Sequence, residues 1–142
     1  MTKLTLIAAF ALTALTAPAF ADPDAAKGES DFKKCKACHS IIADDGTAIQ
    51  KGGKTGPNLY GVIGRVVGTE AEFADKYDEA TKAVGAAGTV WTEEELTAYV
   101  VDPSKWLQEK TGDAAAKSKM TFKLAKGGDD IAAYLASLKP AE

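Results

Sequence analysis

The sequence predicts an all-α fold, mainly helical with large loops. Helix-start signals recur along the chain, either a Thr followed three positions later by Glu or an Asp next to a Pro. Seven glycines fall within residues 40–69, where no helical periodicity is visible. No segment alternates convincingly between apolar and polar residues, although residues 62–67 could form a strand. The length of 142 residues favours one domain.

The N-terminus has the three parts of a secretory signal peptide. Lys3 supplies a positive charge, residues 4–14 form an uncharged apolar run, and Ala19-Phe20-Ala21 is an A-x-A cleavage pattern. A membrane anchor or a buried helix is the alternative, but the run reaches only the margin of the roughly 20 residues that a spanning helix needs. We therefore expect residues 1–21 to be removed, leaving one domain over residues 22–142 in the bacterial periplasm.

The first mature helix and the loop after it are predicted from capping residues and glycines. Asp22-Pro23-Asp24 reads as a helix start, with an acidic cap and Pro in the first turn. This helix would run from about residue 24 to residue 36. The glycine-rich stretch at 40–69 would be a long loop, and long loops in small domains usually have a function or wrap something.

Two capping boxes predict the next helices. Thr69 and Glu72 would open a short helix ending near residue 82. Thr92 and Glu95 would open another that ends at Val101.

The C-terminal third combines two helices with an irregular segment. Asp102-Pro103 would end one helix and start the next, which reaches about residue 110. Residues 112–126 read as irregular, with a possible helical turn at 114–116. Asp129 would cap the last helix, and Pro140 would end it. An apolar stripe at helical spacing marks the buried face of this helix: Ile131, Tyr134, Leu135 and Leu138.

Composition excludes several classes of protein. With 17 Lys+Arg against 20 Asp+Glu, the net charge of -3 argues against binding nucleic acid through bulk positive charge. Two cysteines are too few for a disulfide-dense scaffold, and one histidine is too few for a metal site built mainly from imidazoles. The apolar and charged fractions of 46% and 26% are ordinary for a folded globular protein.

The segment Cys35-Lys36-Ala37-Cys38-His39 has the C-x-x-C-H pattern of c-type haem attachment. Two thiols one helical turn apart can reach the two vinyl groups on one porphyrin edge, and the next residue places an imidazole beneath the iron. A thioredoxin-type dithiol would instead need a βαβ context. Structural zinc would need four protein ligands. A simple disulfide is conceivable in an exported protein.

Met120 is the candidate for the sixth iron ligand. It is the one methionine that remains after residues 1–21 are removed, and it lies 81 residues after His39. A lone methionine can also be a gap-filler in the core, but its neighbours Lys117, Lys119 and Lys123 make that environment unsuitable. Ligation by imidazole and thioether would fill both axial positions and favour one-electron transfer over oxygen binding or peroxidase chemistry.

These residues lie in segments that resemble the class I c-type cytochromes, within the mitochondrial cytochrome c superfamily, and most closely the bacterial cytochromes c2. The resemblance covers essentially all of residues 22–142. It implies a small cytochrome c fold of four to five helices with large loops wrapped around one haem, attached through Cys35 and Cys38. The segments that carry it are KCKACHSI at 34–41, KTGPNLYGVIGR at 54–65, VWTEEELTAYVVDPSKWL at 90–107, KMTFKL at 119–124 and DIAAYLASL at 130–138.

The resemblance also implies roles for individual residues. Pro57 would accept a hydrogen bond from the His39 ring, and Arg65 and Trp91 would reach a haem propionate. The remaining expected contacts and positions are Tyr77 at a propionate, Tyr99 beside the Met120 sulfur, Phe122 over the haem edge, and Gly28, Phe32, Tyr134 and Leu135 where the first and last helices cross. Residues 42–53 and 112–118 resemble insertions of the longer members.

By the same resemblance, the protein would be a monomeric, diffusible electron carrier and not an enzyme. Its donor would be a cytochrome bc1-type complex, and its acceptor a photosynthetic reaction centre or a terminal cytochrome oxidase. A thiol–disulfide oxidoreductase, a haem peroxidase and a haem-based ligand sensor are the competing classes. A basic docking face is expected from lysines on the segments around the haem edge: Lys33, Lys34, Lys36, Lys51, Lys54, Lys105, Lys117, Lys119, Lys123 and Lys126.

Overall fold

The structure is a computed structural model that describes residues 21–138, and within this range it is mainly helical. Five α-helices are present: α1 (Ala25–Asp31), α2 (Glu79–Ala86), α3 (Glu93–Val101), α4 (Pro103–Thr111) and α5 (Gly128–Ser137). Two 3-10 helices, Phe32–Lys34 and Ala71–Lys76, adjoin α1 and α2. The all-α expectation is therefore confirmed. Most of the signal-peptide prediction and the predicted stop at Pro140 lie outside the described residues.

The first and last helices pack against each other, as expected from the resemblance. A Cβ at Gly28 would lie 1.9 Å from the carbonyl oxygen of Asp130, so only glycine allows the two backbones this close. The Phe32 and Tyr134 rings meet with centroids 6.1 Å apart. Leu135 is buried beside them, and the crossing forms one side of the core.

The α3 and α4 helices begin where their caps predict. The Thr92 side chain accepts from the Glu95 N–H at 3.1 Å, and α3 ends at Val101 as expected. Asp102 caps α4, with Pro103 as its first residue. Trp91, Tyr99 and Trp106 join the two helices to the core through ring pairs with centroids 5.0 to 5.4 Å apart.

Two predicted helix starts are wrong. The Thr69 hydroxyl donates back to the carbonyl of Val66, and the chain from residue 71 forms a 3-10 helix that ends before the extended Tyr77. A separate helix, α2, then begins with Asp78 as its cap. At α5 the cap position is Gly127, whose φ of 82° is left-handed, and Asp129 lies inside the first turn instead.

The glycine-rich loop contains a short hairpin that the sequence did not indicate. Strand β1 (Ile41–Ile42) pairs antiparallel with β2 (Ala48–Gln50), with a bulge between Ile41 and Ile42. Asn58 fixes the loop to β1, accepting from Ile42 N at 3.0 Å and donating to Ile42 O at 2.8 Å. Of the possible strand at 62–67, only an isolated bridge from Val66 to Val90 forms.

The segment after α4 is irregular, with a turn at 114–115, in agreement with the sequence. It has few repeating backbone hydrogen bonds of its own, so its course depends on contacts with the helices beside it. No helix within residues 21–138 is both long and apolar enough to cross a bilayer.

Candidate functional site

A cavity of about 710 Å³ lies inside the helical shell. Its volume falls within the range of about 300–1,000 Å³ typical of ligand pockets. Apolar residues from separate parts of the chain form much of its wall, among them Leu59, Val62, Leu96, Ile131 and Leu135. The cavity is also lined by all ten residues predicted for the site: Cys35, Cys38, His39, Pro57, Arg65, Tyr77, Trp91, Tyr99, Met120 and Phe122.

The cysteine motif lies in the turns that follow α1. Backbone bonds from Cys38 N and His39 N to Cys35 O, at 3.1 and 2.9 Å, wind the segment into successive helical turns. This winding puts the Cys35 thiol, the Cys38 thiol and the His39 ring on the wall of the same cavity. Both thiols are free in the structure.

A strap formed by residues 52–56 crosses the motif from outside. Gly53 N donates to Lys36 O and Gly56 N to Cys38 O, both at 2.8 Å. A Cβ on Gly56 would lie 2.3 Å from Cε1 of the His39 ring. The strap therefore lies directly against the motif because glycines leave room for backbone-to-ring contact.

The His39 ring is oriented by one hydrogen bond. Its Nδ1 lies 2.8 Å from the carbonyl oxygen of Pro57, and a carbonyl only accepts, so Nδ1 carries the proton. Burial lowers the pKa of His39, although the Pro57 carbonyl opposes that effect. At neutral pH the ring is therefore neutral, with the Nε2 lone pair available for a metal.

The Cys35 thiol does not have the lowered pKa of a redox-active thiol. Burial raises the pKa of Cys35 to about 11. Thiol–disulfide oxidoreductases depend on a thiolate formed at a lowered pKa, which is the opposite condition. This property of Cys35 argues against rapid disulfide exchange within the motif.

Polar donors line another part of the cavity. The half-buried Arg65 guanidinium donates to the carbonyl oxygens of Asn58, at 3.0 Å, and Tyr60. It takes part in none of the ion pairs found among residues 21–138. Burial lowers its pKa and raises that of Tyr77 beside it. A half-buried cation that pairs with no carboxylate in the described part of the chain provides a place for an anionic group.

The wall that carries Met120 is held by hydroxyl groups. The Tyr99 hydroxyl lies 2.9 Å from Ser118 Oγ, which also accepts from Met120 N at 3.1 Å. Burial raises the pKa of Tyr99 to about 12, so its hydroxyl stays protonated. Phe122 follows at the mouth of the cavity and is 42% exposed.

Sequence reasoning missed several residues that build this site. Ser118 and Asp78 anchor the stretch at 117–124, called the Met120 segment below. Gly56 makes room for the His39 ring. Asp78 precedes an apolar helical run and could have been found as a cap signal. The hydroxyl of Ser118 and the glycine contact depend on distant parts of the chain, so no local pattern marks them.

The donors and shape of the cavity fit haem c. Two thiols could form thioethers, a neutral imidazole and a thioether sulfur could serve as axial ligands, and Arg65 could meet a carboxylate. The apolar wall would exclude water from a buried porphyrin. Among residues 21–138 no cluster of three or more His, Cys, Asp or Glu side chains could hold a bare metal ion.

Comparisons with known proteins agree with this geometry. A scan against protein-family models finds no match. The chain is 61% identical over 137 residues to cytochrome c2 of Rhodobacter capsulatus, covering 96% of this chain and 98% of that protein. It is 52% identical over 141 residues to cytochrome c-550 of Paracoccus versutus, covering 97% of this chain and 90% of that protein.

The structures of these two relatives have the same fold. Cytochrome c2 from Rhodobacter capsulatus superimposes with a TM-score of 0.77 at 62% identity, covering 80% of this chain and 97% of its own. Ferric cytochrome c-550 from Paracoccus versutus gives 0.80 at 55% identity, covering 84% of this chain and 100% of its own. The chain belongs to the cytochrome c2 and c-550 family of class I c-type cytochromes, electron-transfer proteins rather than enzymes, which carry one covalently attached haem c.

Proposed function

We propose that this protein carries single electrons through the periplasm from a bc1-type complex to a photosynthetic reaction centre or a terminal cytochrome oxidase. The observation that carries the proposal is the convergence of the C-x-x-C-H motif and Met120 on one apolar cavity. Export follows from the signal-peptide pattern of residues 1–21. The solved chains of two relatives match over 97% and 100% of their own length but over only 80% and 84% of this chain, as expected for a mature domain shorter than the full sequence.

In this proposal Cys35 and Cys38 hold the haem by thioether bonds, and His39 and Met120 hold its iron. Haem c supplies the one-electron couple between ferric and ferrous iron. Pro57 keeps the His39 ring in the tautomer that offers Nε2 and makes that nitrogen more basic. The Met120 thioether favours the ferrous state relative to a second nitrogen ligand.

The remaining site residues bind and shield the group. Arg65, Tyr77 and Trp91 provide donors for haem carboxylates, which would be costly to bury without partners. Tyr99 lies beside the Met120 segment, and Phe122 would cover the haem edge at the mouth of the cavity. The apolar wall would keep water away from the bound haem, and His39 and Met120 would both hold its iron.

Ligation by Met120 is tested by Met120→Ala in the ferric holoprotein. We expect the change to remove the weak far-red band of sulfur ligation, lower the reduction potential and open the iron to carbon monoxide when it is reduced. Tyr99→Phe is the matched control, because it alters the same wall and leaves the sulfur in place. A far-red band that persists in the Met120→Ala variant would refute this ligation.

Docking would use the lysines around the mouth of the cavity. Lys34, Lys54 and Lys119 line the cavity itself. Nine of the ten predicted docking lysines are exposed and Lys36 is half-buried. A basic face speeds encounter with an acidic partner without requiring tight binding, which suits a carrier that must leave.

The docking face is tested by the rate of reduction by a membrane bc1-type complex. We expect the rate to fall as ionic strength rises from about 10 mM to several hundred mM, because the Debye length shortens from about 30 Å to below 10 Å. Lys54→Glu should slow the reaction at low salt, whereas Lys82→Glu, away from the cavity, should not. Salt-independent rates would contradict the proposal.

A further inference from the structure

Asp78 joins two segments that both line the cavity. Its Oδ1 accepts from Thr81 N at 2.7 Å and so caps α2. Its Oδ2 accepts from Lys119 N at 3.2 Å, in the residue just before Met120. One carboxylate thus connects the start of α2 to the Met120 segment, across 41 positions of sequence.

The Met120 segment depends on such contacts because it belongs to no helix or strand. On its α3 and α4 side it is held through Ser118, whose hydroxyl meets Tyr99 and whose N–H donates to Ser104 Oγ at 3.1 Å. On its α2 side two bonds hold it, both made by Lys119. These are the Asp78 bond and a bond from Lys119 Nζ to Lys76 O at 2.6 Å.

The two Lys119 bonds differ in what they can restrain. The bond from Nζ is donated by the end of a long, rotatable side chain, so it can persist while the Lys119 backbone moves. The Asp78 bond holds the backbone N–H itself and is assisted by the charge of the carboxylate. Asp78 is also fixed at its other oxygen by the N-terminus of α2, so it is a rigid anchor.

We propose that Asp78 is a positioning residue that clamps the Met120 segment over the cavity and thereby sets how readily an external ligand displaces Met120 from the haem iron. The inference rests on the proposed ligation by Met120. In the exchange, the nitrogen lone pair of an added imidazole binds the ferric iron as the thioether leaves. The oxidation state does not change.

The test compares Asp78→Asn with Glu79→Gln in the ferric holoprotein. Asparagine is as good a helix cap as aspartate, but it has an NH2 group, which only donates, in place of one of the two carboxylate oxygens. If its oxygen caps α2, the NH2 group faces the N–H of Lys119 and cannot accept from it. Glu79 is the next residue, its side chain is 92% exposed, and it pairs only with Lys82 among the described residues. The control therefore removes the same charge from the same turn without touching Lys119.

Imidazole is titrated against each variant while the far-red band is followed. We expect Asp78→Asn to bind imidazole about fivefold more tightly than the unchanged protein, the size of one net hydrogen bond. Glu79→Gln should match the unchanged protein, and α2 should be retained in both variants by far-UV circular dichroism. Asp78→Ala, which loses both bonds, should bind imidazole at least as tightly as Asp78→Asn.

The outcomes separate this inference from the function on which it rests. If the unchanged protein lacks the far-red band, ligation by Met120 fails first. If the band is present and Asp78→Asn binds imidazole as weakly as Glu79→Gln does, the clamp is overturned. If imidazole binds both variants more tightly by the same factor, the effect is due to charge alone, and the clamp is overturned as well.

Discussion

Asp130 illustrates at the scale of one residue how the two terminal helices are joined. Its Oδ1 accepts from Asp24 N at 2.8 Å, and its Oδ2 pairs with Lys27. The N–H of Asp24, followed by Lys27, lowers the pKa of this carboxyl below its ordinary value. The sequence marked Asp129 as the cap of α5, but no side chain caps that helix. The neighbouring Asp130 instead binds the start of α1.

The lowered pKa of Asp130 predicts a stability that depends on pH. A depressed pKa means that the charged form stabilises the fold at pH above the ordinary carboxyl value near 4, and that this contribution disappears as the pH falls through the folded-state pKa. Asp130→Asn should therefore lower the free energy of unfolding at pH 7, and the difference from the unchanged protein should shrink at about pH 2.

Urea titrations at both pH values measure this difference. Asp129→Asn is the control, because it removes the same charge from the same turn and its side chain is exposed. If Asp130→Asn lowered the free energy of unfolding by the same amount at both pH values, the stabilising effect would not come from the charged form of Asp130.

Single residues also show which interactions a sequence reveals. Thr92 and Asp102 cap helices through bonds to N–H groups three positions away, so both are visible in the sequence. Thr69 has the same local pattern, yet its hydroxyl turns back to Val66. The chain there must become extended at Tyr77, whose side chain lines the cavity, and that requirement overrides the local preference.

At the scale of elements, α3 and α4 are locked together by Glu95. Its Oε2 accepts from the indole N–H of Trp106 at 2.8 Å, and its Oε1 pairs with Lys110. Trp106 is buried and stacks on Trp91, with ring centroids 5.1 Å apart. The contact thus supports a wall of the cavity from behind.

Removing this acceptor should destabilise the protein. Glu95→Ala leaves the buried indole N–H of Trp106 without its partner, and we expect a loss of about 1–3 kcal/mol in the free energy of unfolding. The near-ultraviolet circular dichroism of the tryptophans should change as well, because Trp106 stacks on Trp91. Glu94→Ala, exposed on the same turn, should change both measurements little. Equal effects from the two variants would refute this role for Glu95.

At the scale of the whole molecule, the main feature is the cavity within the core. Core residues such as Leu96, Ile131 and Leu135 contribute to its wall, so the core is incomplete without an occupant. If nothing occupied this open cavity of about 710 Å³, these apolar side chains would face water.

The shell should therefore not hold its shape without haem. We expect the double variant Cys35→Ser/Cys38→Ser, purified without haem, to lose its near-ultraviolet circular dichroism and most of its helical signal. The single variant Cys38→Ser, which retains one attachment thiol, is the comparison, and it should keep native signals in proportion to the haem it carries. A haem-free double variant with native spectra would contradict this expectation.

Local sequence patterns were enough to predict the helical class and the caps of α3 and α4, and they also gave the residues expected to hold the haem. These features depend on spacing within one turn or on rare residue types, which are properties of a short stretch of chain. Four features became visible only in the folded structure. They are the end of the 3-10 helix before α2, the hairpin at 41–50, the glycine strap against His39 and the bond from Asp78 to Lys119. Each of these arises where distant segments compete for the same space or the same hydrogen-bonding group around the cavity, and no local pattern records the outcome of that competition.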